Sequence, residues 1–147
     1  MSEFMAMQEE QGVAVPEEKL FNLSAIMLAT FLGGPIAGGY LIYSNYVMLG
    51  APERGKQVIF YAVLIMYGLI GSMLFLPDAT VDKLPNFLIP WVSAAVAYFI
   101  AKNLQGELLT EHAEAGGQFY TRWRAVWVSL VCVLVTILLL VPLVLFL

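Results

Sequence analysis

Four stretches of this chain carry no charged residue, and their extents decide what it can fold into. They run from Leu20 to Pro52, from Gln57 to Pro77, from Leu84 to Ala101 and from Ala125 to Leu147. A helix crossing roughly 30 Å of hydrocarbon needs about 20 mostly apolar residues. Each run meets or nearly meets that length. Unpaired backbone groups are too costly in lipid for anything but helices or closed barrels. The runs lack the apolar/polar alternation of barrel strands, so helices are expected. Hydrophobic residues make up 61% of the chain and charged residues 12%, against roughly 45–50% and about 25% in soluble domains. Too few polar groups exist to dress a water-facing surface, and disorder is excluded by the same imbalance.

The expected fold is an all-α integral membrane protein with four transmembrane helices arranged as two hairpins. The spans fall at about 22–49, 57–76, 86–103 and 123–147, with an acidic N-terminal tail over 1–21 and a cytoplasmic segment over 104–122. The tail opens with Glu3, Glu9 and Glu10 and no base, the reverse of a signal peptide's basic start. Leu104–Ala115 is rich in helix formers and meets a stop at Gly116-Gly117, so it continues the third span outward. Arg122, Trp123, Arg124 and Trp127 form an interfacial anchor for the fourth.

The first span holds the most unusual string, Phe31-Leu32-Gly33-Gly34-Pro35-Ile36-Ala37-Gly38-Gly39-Tyr40. Pro35 removes a backbone donor and the glycines remove side chains, so a kink is expected within Gly33–Gly39. A break into two half-helices is the sharper alternative. The stretch 20–32 alone is too short to span, which favours one kinked helix.

With four full crossings, Arg54, Lys56, Lys102, Arg122 and Arg124 share one side, and Lys19 and Lys83 the other. The positive-inside rule then places both termini outside a plasma or inner membrane. Tyr40–Asn45 also resembles Tyr98–Asn103, as in a parallel repeat of two hairpins.

Small residues four apart mark candidate packing faces: Gly34 with Gly38, Gly33 with Ala37, Gly68 with Ser72, and Ser93, Ala97 and Ala101 in a row. Such faces permit close helix approach where lipid gives little hydrophobic drive. Asn45 is the strongest polar candidate for a site or pore. Ser24, Thr30, Ser44, Ser72, Ser93, Ser129 and Thr136 could also face a cavity, but hydroxyls of this kind are expected to bond their own helix carbonyls. No ionisable residue lies within the span cores, which argues against proton-coupled transport.

Glu107, Glu111 and Glu114 form a helical stripe beside His112, the one histidine. It lacks the Glu-x-x-His pattern and second histidine of a carboxylate metal site. Cys132 reads as a small buried hydrophobe. No nucleophile elbow, phosphate loop or zinc-protease motif is present. A net charge of −4 offers nothing to neutralise phosphates of nucleic acid. No cofactor is expected. The expected function is a non-enzymatic assembly or accessory subunit in the lipid bilayer, a homo-oligomer or part of a larger membrane complex. The alternative is an oligomeric passive channel or carrier for a small solute or lipid. An enzyme using the Glu107–His112 segment ranks third.

Overall fold

The computed structural model describes residues 17–147. Of the expected acidic tail, residues 1–16 therefore lie outside the described residues. The described chain holds five helices: α1 Leu23–Met48, α2 Pro52–Phe75, α3 Asp78–Val81, α4 Leu88–Glu114 and α5 Arg122–Phe146. By length and composition α1, α2 and α5 are each sufficient to cross a membrane, which makes this a helical membrane protein. α4 falls short by composition, because its uncharged part ends at Ala101 and Lys102, Asn103 and Gln105 follow.

Local signals set the ends. Asn22 caps α1, its Oδ1 accepting the Ala25 N–H at 2.8 Å. Pro52 and Glu53 open α2, where a missing N–H costs nothing and an acid meets the helix dipole. α4 runs unbroken from the third expected span into the polar segment and stops at Gly116, whose φ of 80° suits glycine. Pro142 sits in the last turns of α5.

α1 departs from the expected kinked rod. Gly34 has φ 76° and ψ −172°, a non-helical pair within the element. At that residue the helix reverses on itself. The Phe21 N–H donates to Asn45 Oδ1 at 2.7 Å, although the two are 24 residues apart. A continuous helix would separate them by about 36 Å. Thr30 likewise packs against Gly38, eight positions that a straight helix holds about 12 Å apart. α1 is thus a helical hairpin, with a descending arm over 23–33 and a returning arm over 35–48. The half-helix alternative replaces the single kinked helix. Pro35 follows the turn directly, where its missing N–H falls among the unpaired donors of a new helix start.

This hairpin is the hub. α2, α4 and α5 each pack against α1 and make no comparable contact with one another. The two-hairpin arrangement is therefore corrected: α4 and α5, adjacent in sequence, are separated by α1. The core cluster is built on α1, including Ala25, Ala29 and Ala37, with Ala101 from α4 and Ala125 from α5. Alanine at these places lets backbones approach closely. α2 and α5 bury few of their residues. Phe60, Trp127, Leu134 and Leu138 are more than 60% exposed, which in water would be a liability and in lipid is the natural outer face.

Reversal at Gly34 also sets the position of residues 17–21. Leu20 pairs with the 118–120 segment, donating to the Gln118 carbonyl at 3.3 Å and accepting from the Tyr120 N–H at 2.8 Å. That segment immediately precedes α5, which carries the chain about 37 Å away. Residues 17–21 and the C-terminus therefore lie at opposite ends of the molecule.

Candidate functional site

The buried polar groups gather where α1 closes. Asn45 Nδ2 donates to the Phe21 carbonyl at 2.8 Å and to Gln105 Oε1 at 3.1 Å. Together with the Phe21 N–H bond, the Asn45 side chain treats residue 21 as a strand would, satisfying both its backbone groups. Gln105 Nε2 donates to the Ile42 carbonyl at 3.0 Å. Asn45 and Gln105 are each 1% exposed or less. Tyr46 adds a longer contact from its hydroxyl to the Leu104 carbonyl. This clasp joins both arms of α1 to α4 at one end of the molecule. Every polar atom assigned to it faces a partner, as burial in a medium of low dielectric requires. Asn45, the candidate site or pore residue, thus sits inside the clasp with its side chain fully engaged.

His112 continues the same stripe of α4. Gln105, Leu109 and His112 are buried at i, i+4 and i+7. The His112 Nε2 lies 2.8 Å from the Gln118 carbonyl. A carbonyl only accepts, so Nε2 carries the proton. Gly117 sits directly against the imidazole, and the Phe119 ring meets its edge at 5.2 Å. Among the described residues no three His, Cys, Asp or Glu side chains gather as metal ligands. His112 instead fixes the loop that pairs with Leu20.

The small residues divide by role. Gly33 lies against the Ser129 backbone of α5, where an added Cβ would approach Ser129 O to 3.0 Å. Gly38 meets Thr30 of the opposite arm, and a Cβ on Gly39 would come within 2.6 Å of the Ala62 methyl of α2. Ala37 and Ala101 are fully buried. Gly34 and Gly38 do not share a helix face, because the chain reverses between Gly34 and Pro35. Gly68 faces open space and Ser72 lies on the outer side, its hydroxyl donating to the Leu69 carbonyl. Thr30, Ser129 and Thr136 donate to carbonyls four residues back.

The Tyr67 hydroxyl of α2 donates to the Leu139 carbonyl of α5 at 2.9 Å, and elsewhere the sparsely touching outer helices leave α1 open between them. One slot, of about 410 Å³, lies between α2 and α4 with Gly38 and Gly39 at its floor and Ser93 and Ala97 on its wall. A larger groove, of about 1050 Å³, lies between α2 and α5. Two members of the clasp, Gln105 and the Phe21 backbone, are absent from the sequence candidates. For Gln105 a readable signal exists in its i, i+4, i+7 run with Leu109 and His112, beside the more conspicuous glutamate stripe. Comparison with protein-family models, curated proteins and solved structures found no match to this chain.

Proposed function

We propose that the chain is a small multi-pass membrane protein acting as a non-enzymatic assembly or accessory subunit. In this reading α2, α4 and α5 cross the bilayer, and α1 enters and leaves on one side. The arms of α1 extend about 16 and 21 Å, short of the roughly 30 Å of hydrocarbon. The charges support the same placement. Lys19, Arg54, Lys56, Lys102, Arg122 and Arg124 lie at the clasp end, and Lys83 alone at the other. Six to one is a stronger bias than the five to two of four crossings. The positive-inside rule then puts the clasp and residues 17–21 in the cytoplasm and the C-terminus outside.

The observation that carries the assembly reading is the slot between α2 and α4. It reaches the α1 backbone at Gly38 and Gly39, and Ala62, Ser93 and Ala97 leave room among its larger apolar side chains for a helix at close range. Gly68 and Gly71, open on the outer side of α2, extend the same kind of surface. The mass of the detergent-solubilised protein tests this, with a pull-down from native membranes. A uniform homo-oligomer or a fixed partner is expected, and Ala97→Phe should abolish it by filling the slot. A partnerless monomer would remove the reading and leave solute flux through liposomes as the measure of the channel alternative.

A further inference from the structure

We propose that the groove between α2 and α5 is a binding site for an anionic phospholipid of the leaflet at the clasp end. The acyl chain lies in the groove and the phosphate at its mouth. The groove's volume of about 1050 Å³ is at the upper end of the usual range of ~300–1,000 Å³ for small-ligand sites. Its walls are apolar along their length, with Ile36 from α1, Val63 from α2 and Cys132 and Val135 from α5. From Arg124 to Leu139 the α5 axis covers about 22 Å, the depth of one leaflet with its headgroup region. The groove is open sideways to the bilayer, as a chain arriving from lipid requires.

The charged side chains sit at one end, with Tyr40 adding a hydroxyl farther along. Lys19, Tyr120, Thr121 and Arg124 line the mouth. The Arg124 guanidinium lies 4.5 Å from the centroid of the Tyr120 ring, which holds a cation at the interface. Among the described residues neither Lys19 nor Arg124 meets a carboxylate at salt-bridge distance. Helix α5 begins here, and the Thr121 side chain does not cap it. Its first N–H groups add to the pull on an anion. Two cations, an uncapped helix start and an apolar trough one leaflet deep match a phosphate joined to an acyl chain. A partner helix would fill the trough but leave the two charges at its mouth unanswered. The site rests on the membrane placement given above but not on the assembly surface between α2 and α4.

Delipidated protein in detergent, titrated with phosphatidylglycerol and phosphatidylcholine and followed by native mass spectrometry, tests the charge. Phosphatidylglycerol is expected to bind in a one-to-one complex at least about tenfold more tightly, and Lys19→Gln with Arg124→Gln should bring the two lipids level. Lys102→Gln, on α4 outside the groove, should keep the preference. The groove itself is tested by fluorescence in a Trp91→Phe background. Phosphatidylglycerol brominated on its chains should quench the two remaining tryptophans, Trp123 and Trp127, which both line the groove, and Val128→Trp should block binding with the mouth charges intact. Equal affinity for both lipids in the parent protein would overturn the proposal. So would a preference that survives the double substitution, or a second protein copy displacing lipid from the groove.

Discussion

At the residue scale, three kinds of glycine separate cleanly. Gly34 needs its backbone: φ 76° with ψ −172° is a region that side chains scarcely enter, although a Cβ there would touch nothing. Gly34→Ala should therefore destabilise by about 1–3 kcal/mol through strain alone. Gly38 needs its space, since Thr30 occupies the place a Cβ would take. Gly68 needs neither, and Gly68→Ala should be neutral or stabilise by up to about 1 kcal/mol from helix propensity. Unfolding in mixed detergent micelles measures all three, and equal responses at Gly34 and Gly68 would contradict this division. Asn45→Ala removes the partner of both Phe21 backbone groups, at about 1–3 kcal/mol for each group left unpaired. Gln105→Ala leaves the Asn45–Phe21 pair intact, so the smaller loss is expected there. The glycine string stands out in the sequence as a site of helix disruption, because a proline amid four glycines both removes a donor and loosens the backbone. The partner of Asn45 does not, because it is a backbone 24 positions away that no side-chain pattern encodes.

At the element scale, the positions of the helices are legible in the sequence and the path of the first is not. Charge-free runs mark apolar helices because charges are expelled from hydrocarbon, and α1, α2, α4 and α5 each overlap one such run. Whether a run crosses or turns back depends on one residue's φ and ψ. The long uncharged run from Leu20 to Pro52 accommodates both a tilted span and two short arms. The similar segments Tyr40–Asn45 and Tyr98–Asn103 lie on the returning arm of α1 and on α4. The matching second hairpin is absent, because α1 lies between α4 and α5. The reversal itself is open to a direct chemical test. A Cβ on Gly38 would lie 3.2 Å from the Thr30 Cβ, close to the spacing of about 3.5–4.5 Å in disulfides. In a Cys132→Ala background, Thr30→Cys with Gly38→Cys should cross-link readily under mild oxidant, read by mass spectrometry of peptides. A pair of thiols about 12 Å apart on an unbroken helix would stay reduced.

For the whole molecule, the topology proposed above, with α1 re-entrant, changes the parity of the chain. Four crossings return both termini to one side; three crossings and a turn-back separate them. Side assignment from loop charges is a sum over the whole chain, so an error in one element moves every terminus before it. Lys19 is the residue that moves. Its transfer to the side of Arg54, Lys56, Lys102, Arg122 and Arg124 leaves Lys83 alone between α3 and α4. The clasp is what ties Lys19 to that end in the proposed topology. Phe21 is held by Asn45, Leu20 by residues 118 and 120, and both anchors belong to the end where α4 leaves and α5 begins. For residue 17 to face the other side, these bonds must all break and the arms must straighten. Single cysteines in the Cys132→Ala background decide between the two parities. Glu17 and Asp82 are both at the surface, Glu17 exposed and Asp82 outside the core cluster, so neither substitution disturbs packing. An impermeant thiol reagent added from outside should label Asp82→Cys and spare Glu17→Cys until the membrane is permeabilised. In a two-membrane bacterium the reagent must first reach the periplasm. Labelling of both without permeabilisation would restore the four-crossing topology. It would also require α1 to straighten in the bilayer, and the Thr30–Gly38 cross-link would then fail in the same membranes. Agreement between the two measurements thus ties the backbone of one glycine to the sidedness of the entire chain.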